Sequence, residues 1–193
     1  MLIVLALIGV LTSLAIPQLI AERRLSRSVG ITREIQTQLR LTRQLAMSQR
    51  QAFTFQYDDS AKQISIIDND DNPGAATLIN GWYPNNVKRK VISAIPLVEA
   101  VVGSEIRYGI PSPIPNGPLD DGIGMTPLVN NQLNITFQPD GSVIDSAGDP
   151  QGRAMFIYNS QLPLGTASAI SVMGAAGRVK IWRYDAGAKR YAD

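Results

Sequence analysis

Hydrophobic positions follow one rhythm after another along this chain. From Met1 to Ile20 (MLIVLALIGVLTSLAIPQLI) nearly every side chain up to Ile16 is apolar and none is charged. From Glu22 onward the apolar positions thin out to a helical spacing. Ile31, Ile35, Leu39, Thr42 and Ala46 fall near one face, with Phe53 beyond them and Leu41 and Leu45 widening it. No Pro follows Pro17 before Phe53, and Gly30 is the single Gly there. The pattern predicts one helix from Met1 to about Ala52, roughly 78 Å long at about 1.5 Å per residue.

At Phe53 the period changes to alternation. Phe53–Tyr57 and Gln63–Ile67 read as strands around the turn Asp58–Lys62, and Asp68–Gly74 closes that unit. Val87–Ile92 is a further short strand, and 95–102 fits neither type. The stretch 103–127 carries Pro111, Pro113, Pro115, Pro118 and Gly117, which predicts a long surface excursion with a short strand at Ile106–Tyr108. Asn134–Phe137 leads into Gln138-Pro139-Asp140-Gly141, where Pro sets φ and Gly accepts a positive φ. Ser142–Ile144 is expected to return as a strand. Arg153–Asn159 is another, and Ala169–Met173 with Arg178–Tyr184 flank Gly174-Ala175-Ala176-Gly177 as a hairpin. The fold class expected is α+β, a long N-terminal helix packed on an antiparallel β-sheet head. Its parts are a membrane- or filament-packing helix at 1–20, an amphipathic continuation at 21–52 and a β-rich head at 53–193.

The first stretch is just long enough to cross a hydrocarbon core, which takes roughly 20 mostly apolar residues. Thr12 and Ser13 can bond back to helix carbonyls, and a membrane helix tolerates the bend at Pro17. A cleaved secretory signal is disfavoured because Leu2, Ile3 and Val4 stand where a basic front end belongs. The order Leu2, Ile3, Val4, Leu5, Leu7, Ile8, Val10, Leu11, Leu14, Ile16, Pro17 resembles the N-terminal helix of type IV pilins and type II secretion pseudopilins. In that family a basic leader ends in Gly, and an N-methylated residue and a characteristic glutamate precede the apolar run. On that pattern the glutamate falls immediately before Met1, so either the sequence starts at an internal Met, the favoured reading, or it departs from the family in a way the prepilin peptidase could not process. Arg23, Arg24 and Arg27 after the span place the bulk of the chain in the cytoplasm by the positive-inside rule. A basic leader before Met1 restores the outward head that the family implies.

The far end adds to the likeness. A strand–FQPDG–strand unit followed by a hairpin with Gly177-Arg178 resembles the GspH/FimT group of minor pseudopilins. The resemblance implies a structural subunit in protein secretion or pilus biogenesis. It also implies an inner-membrane location with an extracytoplasmic head, and as partners other pilin subunits, the membrane and an assembly platform.

Composition narrows the chemistry. The 193 residues are 45% apolar, enough for one folded domain with a core. With Cys 0 and His 0, disulfides, thiolate nucleophiles, Cys/His zinc sites and imidazole bases are excluded. Nothing marks a carboxylate pair or Ser/Lys dyad, so no enzyme and no cofactor is expected. Asp68, Asp70 and Asn72 have the spacing of a calcium loop, but Pro73 and Ile79 stand where glycine and the bidentate glutamate belong, so the stretch reads as a polar turn.

The net charge of +2 and pI near 9.0 do not by themselves call for nucleic acid. Local placement does more. Arg178 and Lys180 are expected on one face of a strand, followed there by an exposed Trp182, with Arg183 opposite. Cations beside an aromatic suit phosphate contact with base stacking. Gly177-Arg178-Val179-Lys180 resembles the Gly-Arg-x-Arg-like element that associates some FimT-like minor pilins with DNA uptake. The alternatives are a basic edge strand that resists edge-to-edge pairing, or an anchored envelope protein with no filament role.

Overall fold

The computed structural model describes residues 2–69, 90–97, 105–145 and 148–192, with side chains from Gln18 onward. Helix α1 runs Leu2–Gln49, 48 residues or about 72 Å. It ends at Arg50, whose φ of 54° is left-handed, and Gln51 N donates to Ala46 O at 3.2 Å, a Schellman-type closure. Ile31, Ile35, Leu39, Thr42 and Ala46 are buried, as the helical period predicts. The Thr42 hydroxyl is satisfied by donating to Gln38 O at 2.7 Å. Leu41 does not widen the buried face; it stands 39% exposed on the solvent side. Among the described residues no helix is long and apolar enough to cross a membrane. The expected membrane or filament run, Leu2 to Pro17, lies outside the described side chains.

The described strands form two antiparallel sheets. The first has the order β3-β2-β1-β5, built from β1 (Phe53–Asp58), β2 (Gln63–Asp68), β3 (Lys90–Pro96) and β5 (Gln132–Phe137). The second has the order β4-β6-β7-β8-β9, built from β4 (Ile106–Tyr108), β6 (Arg153–Asn159), β7 (Ser168–Val172), β8 (Val179–Asp185) and β9 (Arg190–Ala192). A single turn, α2 (Pro163–Thr166), joins β6 to β7. The sequence places the third strand at Val87–Ile92. Its described part begins at Lys90 and continues to Pro96, and 87–89 lie outside the described residues, as do Asp70 and Asn72 of the calcium-like spacing.

Ser142–Ile144 does not return as a strand. Gln138 N bonds Ser142 O and Gly141 N bonds Gln138 O, both at 2.8 Å, but two isolated bridges follow in place of a strand, Phe137↔Val143 and Ile144↔Pro150. Val143 N instead donates to Gly174 O at 2.7 Å, so the chain leaves the turn toward the β7–β8 hairpin. Asp140 fixes that exit: its Oδ1 accepts from Ser142 N and Oγ, and these bonds, the hydroxyl's first, hold its carboxyl below the usual range.

One core cluster lies between α1 and both sheets, with Ile35, Leu39, Phe55, Tyr57, Ile135 and Ile170 at its centre. The outer face of the first sheet is polar and paired, with Thr54 to Thr136 at 2.7 Å and Gln56 to Asn134 at 2.9 Å. The second sheet is different. Its outer face carries a second cluster, in which Ala154, Phe156, Ala169 and Trp182 meet Ile114 and Leu119 of the Pro-rich excursion. That stretch is therefore packed structure over its described part. Every residue of β7 is consequently buried, the continuous burial of a strand covered on both faces.

Candidate functional site, a basic groove between helix and hairpin

Gly141 and Gly177 bring two turn tips into contact. Both have positive φ, 82° and 57°, which glycine adopts without steric cost. A Cβ on Gly177 would lie 1.8 Å from Gly141 O, so only glycine fits this approach. Arg43 of α1 lies against the contact and donates from Nε to Gly141 O at 3.3 Å.

Beside this junction a groove of about 670 Å³ runs between α1 and the start of β8. Arg40, Arg43 and Met47 line one wall; Arg178, Val179 and Ile181 line the other. Gln36 and Gln44 are the polar neighbours, and among the described lining residues no carboxylate occurs. Arg40 and Arg178 are exposed and Arg43 is half-buried. None of these arginines has an ion-pair partner among the described residues. An array of guanidinium groups without a counter-charge attracts an anion.

The structure redistributes the residues that the sequence grouped. Arg178 stands in the groove, but it precedes β8, and the left-handed Gly177 sets its direction. Lys180 borders the groove, yet its Nζ lies 3.8 Å from the centre of the Trp182 ring. Trp182 is not exposed. It is 2% accessible in the second cluster and donates from Nε1 to Ser171 Oγ at 2.8 Å. Its ring is closed to base stacking. Arg183 shares the strand face of Val179 and Ile181, which pack on the α1 side, and lies opposite Lys180 and Trp182. Ile181 borders both the groove and the adjoining depression lined by Arg183 and Asp185. Arg40 and Arg43 were missed in the sequence because nothing there says which helix arginines face the β7–β8 hairpin.

A second polar junction ties α1 to the head. Arg24 Nη2 pairs with Glu105 Oε1 at 3.1 Å, and Asn159 Nδ2 donates to Glu105 Oε2 at 3.0 Å. The Asn159 bond, then Arg24, hold the Glu105 carboxyl below its ordinary range. Among the described residues no group of His, Cys, Asp and Glu is placed to hold a metal ion.

The fold and groove define a helix-spined α+β protein with a basic cleft where the spine meets the β7–β8 hairpin. No protein-family model and no curated protein matches the chain. Among solved structures, it is similar to the type IV minor pilin FimU of Pseudomonas aeruginosa in two crystal forms. One matches at 17% identity and a TM-score of 0.48, covering 84% of this chain and 91% of that one. The other matches at 17% identity and 0.44, covering 79% and 90%. The minor pseudopilin EpsH from the type 2 secretion system of Vibrio cholerae matches at 12% identity and 0.39, covering 78% and 91%. At these values function has to be argued from the chain itself.

Proposed function

We propose that this protein is a structural subunit of the minor pilin or pseudopilin kind, working by helix-mediated assembly and not by turnover. The observation that carries the reading is the helix. Among its described side chains none before Ser28 is buried, and Leu19, Ile20 and Leu25 stand 56%, 46% and 44% exposed. An apolar helical surface left uncovered by its own head needs a membrane or neighbouring helices to cover it. The sequence ahead of Leu19 carries no charge, and packed helices keep every backbone group bonded within themselves. The inner membrane, other subunits and an assembly platform are the partners this implies, with the head outside the cytoplasm. The test is a photo-crosslinking residue at Leu25, incorporated in the native host. Adducts to another filament-type subunit are expected at Leu25 and absent at exposed Asp120. Crosslinks confined to this chain's own head would overturn the reading.

The groove supports a second reading, a nucleic-acid-binding subunit, because its arginines face one another across a cleft whose described lining has no carboxylate. Duplex binding by the full chain in detergent, weakening steeply with salt, is the expected result. No binding at low salt removes this reading and leaves the first intact.

A further inference from the structure

We infer that the groove grips a duplex by its phosphate backbone alone, with α1 supplying one wall of cations and the hairpin the other. This rests on the nucleic-acid reading and adds Arg40 and Arg43 to the binding surface.

The argument begins with what cannot take part. Base stacking needs an accessible ring, and the ring that adjoins the basic strand is buried under the Pro-rich excursion. Lys180 is drawn onto that ring from the strand face opposite Val179 and Ile181. The pair that looked like a stacking site is therefore committed to holding the second cluster together.

What remains is arginine. Arg43 is oriented by its Nε bond to Gly141 O, and the side chain lies against Gly177, one residue from Arg178. The closed turn tips thus set a helix arginine and a hairpin arginine beside each other. Arg40 lines the same wall as Arg43. Beyond Ile181 the strip ends, since Arg183 shares the adjoining depression with the carboxylate of Asp185. Arginines on both sides of an open cleft match the repeating charge of a backbone, and without a base contact they read no sequence.

The test uses the full chain in detergent micelles and a mixed-sequence duplex, with affinity followed by fluorescence anisotropy as salt is raised. Each phosphate contact contributes about 0.9 to the slope of log affinity against log salt. Arg40→Gln and Arg178→Ala are each expected to flatten that slope by about 0.9. Lys180→Ala is expected to leave it within about 0.3 of the parent, since its ammonium makes no phosphate contact. A single strand of equal length is expected to bind no tighter than the duplex. Arg43→Gln disturbs the turn contact as well as the charge, so Arg40→Gln, at an exposed position, is the deciding variant. If Arg178→Ala flattens the slope and Arg40→Gln does not, the helix wall is refuted while nucleic-acid binding stands. If the parent chain fails to bind duplex at low salt, the nucleic-acid reading itself falls. Displacement by polyglutamate as effective as by duplex would overturn the phosphate assignment.

Discussion

At Gly177 the missing side chain decides how two distant segments meet. A methyl group there would collide with Gly141 O and lie 2.8 Å from Arg43 Nε, on a backbone already at φ +57°. Gly177→Ala is expected to cost about 2 kcal/mol or more in urea unfolding, combining strain at positive φ with overpacking. A loss below about 0.5 kcal/mol would refute the contact, since ordinary surface changes fall in that range. Ser171, fully buried, accepts from Trp182 Nε1 and donates to Asp121 Oδ2 at 2.5 Å, joining β8, β7 and the excursion. Ser171→Ala leaves the indole N–H without that acceptor, and a loss of about 1–3 kcal/mol is expected from thermal or urea unfolding. The turn role of Gly177 was legible in Gly-Ala-Ala-Gly. Its contact with Gly141 was not, because a local pattern carries no information about which turn lies opposite. Trp182 was misread for a related reason: alternation gives the side of a strand, not whether a loop covers that side.

Among the elements, α1 was the most legible, since an unbroken apolar run and a helical period leave few alternatives over that length. The error at Leu41 arose at the margin of the apolar stripe, where a small rotation separates core from solvent. The strand expected at Ser142–Ile144 failed because Val143 finds its partner in Gly174, far along the chain. The junction of α1 with the head makes a prediction of its own. The Glu105 carboxyl is held below its ordinary value of 4.5, so it favours the folded junction at pH values above that point. This contribution fades as pH falls through 4.5 and toward the lower folded value. Protection factors along Arg24–Ser28, with the pH dependence of intrinsic exchange divided out, are therefore expected to fall below about pH 4.5, and Glu105→Gln is expected to show the lowered protection at neutral pH. Identical protection in parent and variant would remove the latch.

For the whole molecule, the two sheets divide the work. The first shows a polar outer ladder to solvent, while the second is enclosed between the helix side and the Pro-rich stretch. That enclosure was only half visible in the sequence: prolines announce a loop without saying that Ile114 and Leu119 will seat on β6 and β7. Burial also reaches the tyrosines. Tyr57, Tyr108 and Tyr191 are each raised well above the ordinary value of 10.0, mainly by burial, with the bond from Tyr57 to Asp59 adding to the first. A raised phenol favours folding below pH 10.0, and that contribution is lost as pH rises further. In an alkaline titration followed by tyrosinate absorbance, these phenols are expected to ionise only as the fold opens. Ionisation of all six tyrosines near pH 10 while the protein stays folded would contradict the packing.

The bond between Arg43 and Gly141 spans 98 positions, and the tip it rests against comes later still. During synthesis the spine must wait, with one cleft wall bare, until the β7–β8 hairpin emerges to seat on it. A chain cut short before Gly177 would carry its arginines on an unfinished surface.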